Sequence, residues 1–135
     1  MKKINIVLLF VIPLLISHGR SLGQQGNEAG KPGQVEMKQY FFVMLTKGPN
    51  RNQDSLTAAK IQEGHLNNIR RLAGMGKIVV AGPFGDDRDW LGIFIFDCKT
   101  KEEVVDYLKT DPAVDAGRLA YDIRPWWTAK NCVFK

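Results

Sequence analysis

Histidine and cysteine are both scarce in this sequence, with two of each among 135 residues. His18 falls in an N-terminal segment that we expect to be removed, so His65 would be the only histidine of the mature protein. A single histidine excludes a multi-histidine metal site within one chain, and the thiols of Cys98 and Cys132 are too few to close a zinc site. We therefore expect no metal and no cofactor. In an exported protein the two cysteines could form a disulfide, which their spacing neither requires nor excludes.

The basic residues form no continuous run. The formal charge is +5, and removal of the N-terminal segment takes three basic residues and no acidic one, which leaves +2. Because the remaining lysines and arginines are scattered, nothing in the sequence would follow a phosphate backbone, and we expect no nucleic-acid partner. The sequence also lacks a nucleotide-binding loop and a nucleophile elbow, which argues against a serine or cysteine hydrolase.

The N-terminal segment has the three parts of a secretory signal peptide. Two lysines open it, an apolar run from residue 4 to 16 follows, and small and polar residues end it near Gly23. A membrane anchor is the alternative, but the run is short for a span and Pro13 interrupts it. We expect a signal peptide at 1–23 and a flexible tether at 24–37, which is rich in Gly and Gln. The mature protein would have no stable membrane anchor and would be exported, either periplasmic or secreted.

Hydrophobic periodicity predicts one α+β domain over residues 38–130. Strands are predicted at 39–46, 77–82, 91–98 and 119–127, and helices at 55–75 and from a Thr100 cap to about Lys109. The order βαββαβ is typical of the ferredoxin-like fold with an antiparallel sheet. Two helices cover only one face of such a sheet, yet FFVML, IVVA and IFIF are apolar on both faces. Since soluble monomers rarely expose such a surface, we expect a second copy to cover it in a homodimer.

The first predicted helix places a histidine on its apolar face. At 100° per residue, His65 lies near the middle of an arc formed with Ala58, Ile61, Leu66, Ile69, Leu72 and Ala73, and the opposite side carries residues such as Asn67, Asn68, Arg70 and Arg71. His65 could be a packed core residue with its nitrogens bonded to backbone. Alternatively, beside a carboxylate and a cavity, it could accept and return a proton near neutral pH. Asp111, where the second helix gives way to Pro112, is one of few carboxylates near apolar segments.

The stretches EGHLNNIRRLAGMGKIVVAGPF, LGIFIF and KEEVVDYLKTDPAVDAGRLAYDIRPW together resemble the YCII-related domain family, over about residues 38–127. The specific elements, in order, are His65-Leu66, the turn Ala81-Gly82-Pro83-Phe84, and Asp111-Pro112 followed by Gly117. The resemblance implies a dimeric α/β barrel with His65 and Asp111 as catalytic residues and with Gly82, Pro83 and Phe84 shaping a substrate pocket. Related barrels act on small cyclic or aromatic compounds as isomerases, lyases, dehalogenases and cofactor-free oxygenases, and the fold alone cannot choose among these reactions.

Two functions fit these expectations. The first is an exported enzyme in which His65 transfers a proton and Asp111 orients it, with an apolar lining from residues such as Phe42, Met44, Phe94 or Phe96. The second is a non-catalytic dimeric module that binds a small hydrophobic ligand. They differ in one structural feature, which is whether His65 lines a solvent-connected pocket beside a carboxylate or is sealed in aliphatic packing.

Overall fold

A computed structural model of the chain describes residues 35–130 and residue 132. The predicted signal peptide and the tether residues up to 34 lie outside this range. The elements run β1 (Met37–Lys47), α1 (Ser55–Gly74), β2 (Ile78–Pro83), β3 (Trp90–Phe96), α2 (Lys101–Lys109), α3 (Pro112–Asp115) and β4 (Leu119–Ala129). The six predicted elements are all present, and the ferredoxin-like α+β fold is confirmed. The short helix α3 was not predicted.

The four strands form one antiparallel sheet in the order β2-β3-β1-β4. β1 lies in the centre and pairs with β3 on one side and with β4 on the other. It fits this position because both of its faces are largely apolar, as a strand in the middle of a two-sided sheet requires. The sheet therefore has a helix-covered face and an open face, each carrying alternate side chains of β1.

The core lies between the helices and one face of the sheet. Phe41, Val43 and Leu45 of β1 point into it, and each is at most 5% exposed. Its other members come from α1, α2 and the neighbouring strands: Leu72, Ile78, Phe94, Phe96, Cys98, Val104, Leu108 and Ile123. Burial of this continuous apolar cluster stabilises the layered arrangement, at roughly 25 cal/mol for each Å² removed from water.

Side-chain caps begin each of the longer helices. Asp54 precedes α1 and accepts a hydrogen bond from the Thr57 amide at 3.0 Å. Thr100 precedes α2 and accepts from the Glu103 amide at 3.2 Å, while the Glu103 carboxylate accepts from the Lys99 amide at 2.9 Å. The predicted cap at Thr100 is confirmed, and these bonds satisfy amides that a helix start otherwise leaves without partners.

Neither cysteine is in a disulfide. Cys98 is a buried free thiol and Cys132 is an exposed one. Burial raises the pKa of Cys98 to about 11, so this thiol stays protonated at neutral pH. Within the described part of the chain, no helix combines the length and apolar character needed to cross a membrane.

Candidate active site

His65 and Asp111 meet at the junction of α1 and α3. His65 Nδ1 lies 2.8 Å from Asp111 Oδ2, although the two residues are 46 positions apart in sequence. His65 is 8% exposed and Asp111 only 1%. α1 presents the histidine from a buried stripe at positions 65, 68 and 72, spaced as one face of a helix requires. The structure thus brings together the two residues predicted as catalytic.

Asp111 also begins α3. Its Oδ1 accepts a hydrogen bond from the Ala113 amide at 2.8 Å, and Pro112 occupies the first turn, where its missing N–H costs nothing. Its Oδ2 is shared by His65 and by the Asn68 amide group at 3.3 Å. One carboxylate oxygen therefore caps a helix while the other holds the histidine.

The charge of Asp111 is stabilised despite its burial. Burial raises the pKa of this carboxyl, but the hydrogen bonds from His65, Ala113 and Asn68 outweigh it and hold the pKa below its usual 3.8. Asp111 is consequently ionised at neutral pH, and an ionised carboxylate can only accept hydrogen bonds. His65 Nδ1 must then be the donor, which leaves Nε2 unprotonated when the ring is neutral.

Asn68 is a site residue whose predicted position was wrong. The helical arc predicted it on the polar side of α1, but it is only 8% exposed and donates to Asp111. Its own Oδ1 accepts from Arg71 Nη2 at 2.7 Å and from the Thr110 hydroxyl at 3.1 Å. Thr110 and Asp111, which directly precede the unforeseen helix α3, contact this side of α1. Asn68 follows His65 by three residues, and this spacing could have indicated that the two side chains share one face of the helix.

A glycine lets the two helices approach closely. A Cβ on Gly64 would lie 2.9 Å from Pro112 Cγ, well inside ordinary contact distance. Gly64 directly precedes His65, and Pro112 directly follows Asp111. The absence of a side chain at Gly64 therefore allows α3 to sit where Asp111 reaches the histidine ring.

His65 opens onto a cavity of about 380 Å³, which is within the range of small-molecule sites. Gly82 and Pro83 lie in its wall, and so does Phe94, whose ring centre is 6.0 Å from that of His65. The rest of the wall is formed by Leu45, Arg51, Gln62, Leu66, Ile69, Ala81, Leu91, Gly92, Ala113, Arg118 and Leu119. Asp111 is absent from the wall because it lies behind the histidine.

The remaining residues expected near the ligand lie elsewhere. Phe84 is 40% exposed and packs its ring 6.1 Å from that of Trp90, outside the cavity wall. Phe96 is fully buried in the core, and Phe42 and Met44 alternate with the core residues of β1 and so lie on the open face of the sheet. For Phe42 and Met44, the register of β1 decides which face of the sheet the side chain occupies. Among residues 35–130 and 132, no group of three or more His, Cys, Asp or Glu side chains is arranged to hold a metal.

Fold and site together define an α+β protein with a buried His–Asp pair behind a small cavity. The chain belongs to the YCII-related domain family, whose model matches residues 40–127. Among curated proteins, none gives a significant match.

The chain is similar to several solved structures. Among them is 5-chloro-2-hydroxyhydroquinone dehydrochlorinase from Burkholderia phenoliruptrix AC1100 in complex with 2,5-dihydroxybenzoquinone, with 26% sequence identity over 64% of this chain and 92% of that one. The TM-score is 0.47, which is too low to carry that protein's activity over to this chain.

Proposed function

We propose that the protein is an enzyme that moves a proton on a small cyclic or aromatic compound, with His65 as general acid and base. The observation that carries this proposal is the position of His65, which lines the cavity while its Nδ1 bonds to a buried carboxylate 2.8 Å away. The hydrogen bond that His65 Nδ1 donates to Asp111 leaves Nε2 as the nitrogen available to a ligand. In the neutral ring Nε2 can accept a proton, and in the protonated ring it can return one.

The surroundings of the pair support an enzyme over a module that only binds. A histidine with only a structural role needs no more than a neutral backbone partner. His65 is instead bonded to Asp111, an ionised group at 1% exposure, and burying such a charge is costly unless it is well hydrogen-bonded. Three hydrogen bonds converge on it from His65, Asn68 and Ala113. This support fixes the ring and its tautomer beside a solvent-connected cavity, an arrangement that proton transfer requires and simple binding does not.

The second part of the proposal is a homodimer formed through the open face of the sheet. Phe42 and Met44 lie on this face and are each half-buried, and Trp126 lies beside them at 41% exposure. The same face carries an ion pair, since Arg124 Nε lies 2.8 Å from Asp122 Oδ2. A two-fold axis would bring the two apolar centres together and allow Arg124 of one copy to pair with Asp122 of the other. A second copy therefore suits this face better than a partner of one charge.

The third part is export, which rests on the leader-like residues 1–23 alone. Intact-mass measurement of the protein recovered from its native host would test it. Loss of the leader, with cleavage near Gly23, would support export, and a full-length chain in the cytoplasm would contradict it.

The enzymatic proposal can be tested with small cyclic compounds incubated in D₂O. Proton exchange and elimination are followed by ¹H NMR, and ligand binding is followed separately by saturation transfer. We expect at least one compound to react, and His65→Gln to slow the reaction by about 100- to 10,000-fold while binding changes little. If compounds bind equally to both proteins and none reacts, the protein is a non-catalytic binding module.

A further inference from the structure

Two arginines that the His–Asp pair does not use stand in the wall of the same cavity. Arg51 belongs to the connection between β1 and α1, and Arg118 directly precedes β4. No pattern in the sequence predicts a role for either of them. They are 67 positions apart in sequence, so only the fold brings them to one site.

The segments that carry the two arginines are joined by backbone hydrogen bonds. The Gly48 amide donates to the Arg118 carbonyl and the Asn50 amide to the Gly117 carbonyl, each at 2.9 Å. Gly117 has a φ of +68°, and a Cβ there would lie 2.7 Å from the Asn50 side chain, so the junction requires glycine at this position. The main chain thus holds the two arginine-bearing segments side by side at the cavity wall.

Among the residues that the structure describes, most N–H donors of these two arginines have no hydrogen-bond partner. Arg51 Nη1 donates to the Arg118 carbonyl at 2.9 Å, and Arg118 Nη1 donates to Gln53 Oε1 at 2.7 Å. Both acceptors are neutral, and a guanidinium has five N–H donors. Within the described residues neither arginine forms an ion pair, whereas seven other lysines and arginines do.

The cavity is therefore positively charged. No aspartate or glutamate is among its wall residues, and the nearby Asp111 is buried behind His65. Two unneutralised guanidinium groups beside a partly enclosed, mainly apolar space attract an anion more strongly than they would in open water. The planar guanidinium fork also matches the two oxygens of a carboxylate, or the ionised oxygen of a phenol or enol.

We propose that the cavity binds a small organic anion, with its charged oxygen on Arg51 and Arg118 and its carbon skeleton against Leu66, Ile69 and Phe94. The proposal rests on the proposed function, because it assigns the substrate class of the same site. An anion held at the arginine end directs the opposite part of the molecule toward His65 Nε2. The cavity volume of about 380 Å³ suits a compound of one ring.

Matched pairs of aromatic compounds test the charge requirement. Dissociation constants are measured by NMR titration at low salt for benzoate against benzamide, and for 4-nitrophenolate at pH 8.5 against nitrobenzene. We expect the anion of at least one pair to bind about tenfold or more tightly than its neutral partner, and its affinity to fall as NaCl is added. The pair with the larger difference identifies the anionic group as a carboxylate or as an ionised hydroxyl. Equal affinity within both pairs would overturn the proposal.

Single substitutions locate the charge. Arg51→Gln removes an exposed guanidinium without disturbing the core, and we expect it to weaken anion binding about tenfold and to leave neutral compounds within twofold. Arg118→Gln should do the same, and its fold is checked by circular dichroism because Arg118 also bonds Gln53. Arg70→Gln is the matched control, since it removes an equal charge from the exposed face of α1. Anion affinity that falls equally in the Arg70 variant would show a general charge effect and contradict the site.

The two proposals fail in different ways. If charged and neutral compounds bind alike but His65→Gln still abolishes turnover, the enzymatic function stands and the anion site is wrong. If anions bind through Arg51 and no reaction depends on His65, the anion site stands and the enzymatic function is wrong.

Discussion

At the scale of single residues, the two carboxylate oxygens of Asp111 have different roles. Oδ1 caps α3 by accepting a hydrogen bond from the Ala113 amide, and Oδ2 accepts hydrogen bonds from His65 and Asn68. An asparagine at this position would keep an oxygen for the cap, because asparagine and aspartate are comparable as N-caps, but it would lose the charge that fixes the histidine. Asp111→Asn therefore separates the structural role of this residue from its role in the site.

The acid stability of the protein should depend on Asp111. Its pKa is held below 3.8 in the folded protein, so it contributes stability that is present above pH 3.8 and is lost as the pH falls through the lowered folded value. We expect Asp111→Asn to lower the free energy of unfolding by about 1–3 kcal/mol above pH 4, and the gap to narrow as the pH falls further. Urea unfolding at several pH values measures it. Asp115→Asn, an exposed change in the same helix, is the control, and a gap independent of pH below 3.8 would contradict the assignment.

Residue roles were only partly accessible from the sequence. His65 was identified as a candidate because it interrupts an apolar arc, a pattern that can be read directly. Asp111 was assigned as its partner through the family resemblance, since nothing local distinguishes it from a carboxylate that ends a helix. Asn68 was misplaced, and Arg51 lies in an irregular segment whose side-chain direction has no periodicity to follow. Tertiary packing alone decides such positions.

At the scale of elements, the site depends on how closely α3 approaches α1. Glycine within a helix is less favourable than alanine by about 1 kcal/mol, so its presence at position 64 needs a reason. The reason is contact with Pro112, which an added Cβ would approach to 2.9 Å. Glycine at position 64 therefore lowers helical propensity but lets α3 approach α1 closely enough to place Asp111 against His65.

Gly64→Ala should consequently destabilise the protein even though alanine favours helices. Overpacking costs about 1–3 kcal/mol, and the higher helix propensity of alanine offsets about 1 kcal/mol of this. We therefore expect the free energy of unfolding in urea to fall by up to about 2 kcal/mol, together with reduced turnover. Gly74→Ala in the same helix is the control, because nothing lies within 4 Å of a Cβ there, and it should be neutral or slightly stabilising. Equal stabilisation by both changes would show that the close approach is unimportant.

The longer elements were predictable and the shortest was not. α1 was expected at 55–75 and is found at Ser55–Gly74, because its apolar period, its cap and its terminal glycines all agree. α3 has four residues, too few for any period, and Pro112 appeared only as the end of the preceding helix. Since Asp111 caps α3 and also bonds Asn68, missing this helix also hid part of the site.

At the scale of the whole molecule, the sheet has two different apolar faces. One packs on the helices, and the other presents Phe42, Met44 and Trp126 around the Asp122–Arg124 pair. The sequence predicted both faces because the strand runs are apolar throughout. Exposed apolar surface of this kind typically marks an interface, and the proposed homodimer would cover it with a second copy.

Disruption of this face should give monomers. Phe42 pairs with Arg124 in the register of β1 and β4, so Phe42→Glu gains a cross-strand charge partner in the monomer while removing apolar area from the proposed interface. Light scattering after size exclusion should give twice the chain mass for the natural protein and the single-chain mass for this variant. Leu56→Glu, on α1 at 74% exposure, should remain dimeric. A natural protein of single-chain mass at micromolar concentration would contradict the dimer.

The tautomer of His65 tests the central claim most directly. In a His18→Gln background His65 is the only histidine, so long-range ¹H–¹⁵N correlation spectra need no assignment. At a pH where the ring is neutral, we expect the proton on Nδ1 and a free Nε2, and we expect Asp111→Asn to weaken or reverse this preference. A neutral ring that carries its proton on Nε2, or a tautomer that Asp111→Asn leaves unchanged, would contradict a histidine oriented by Asp111 for proton transfer.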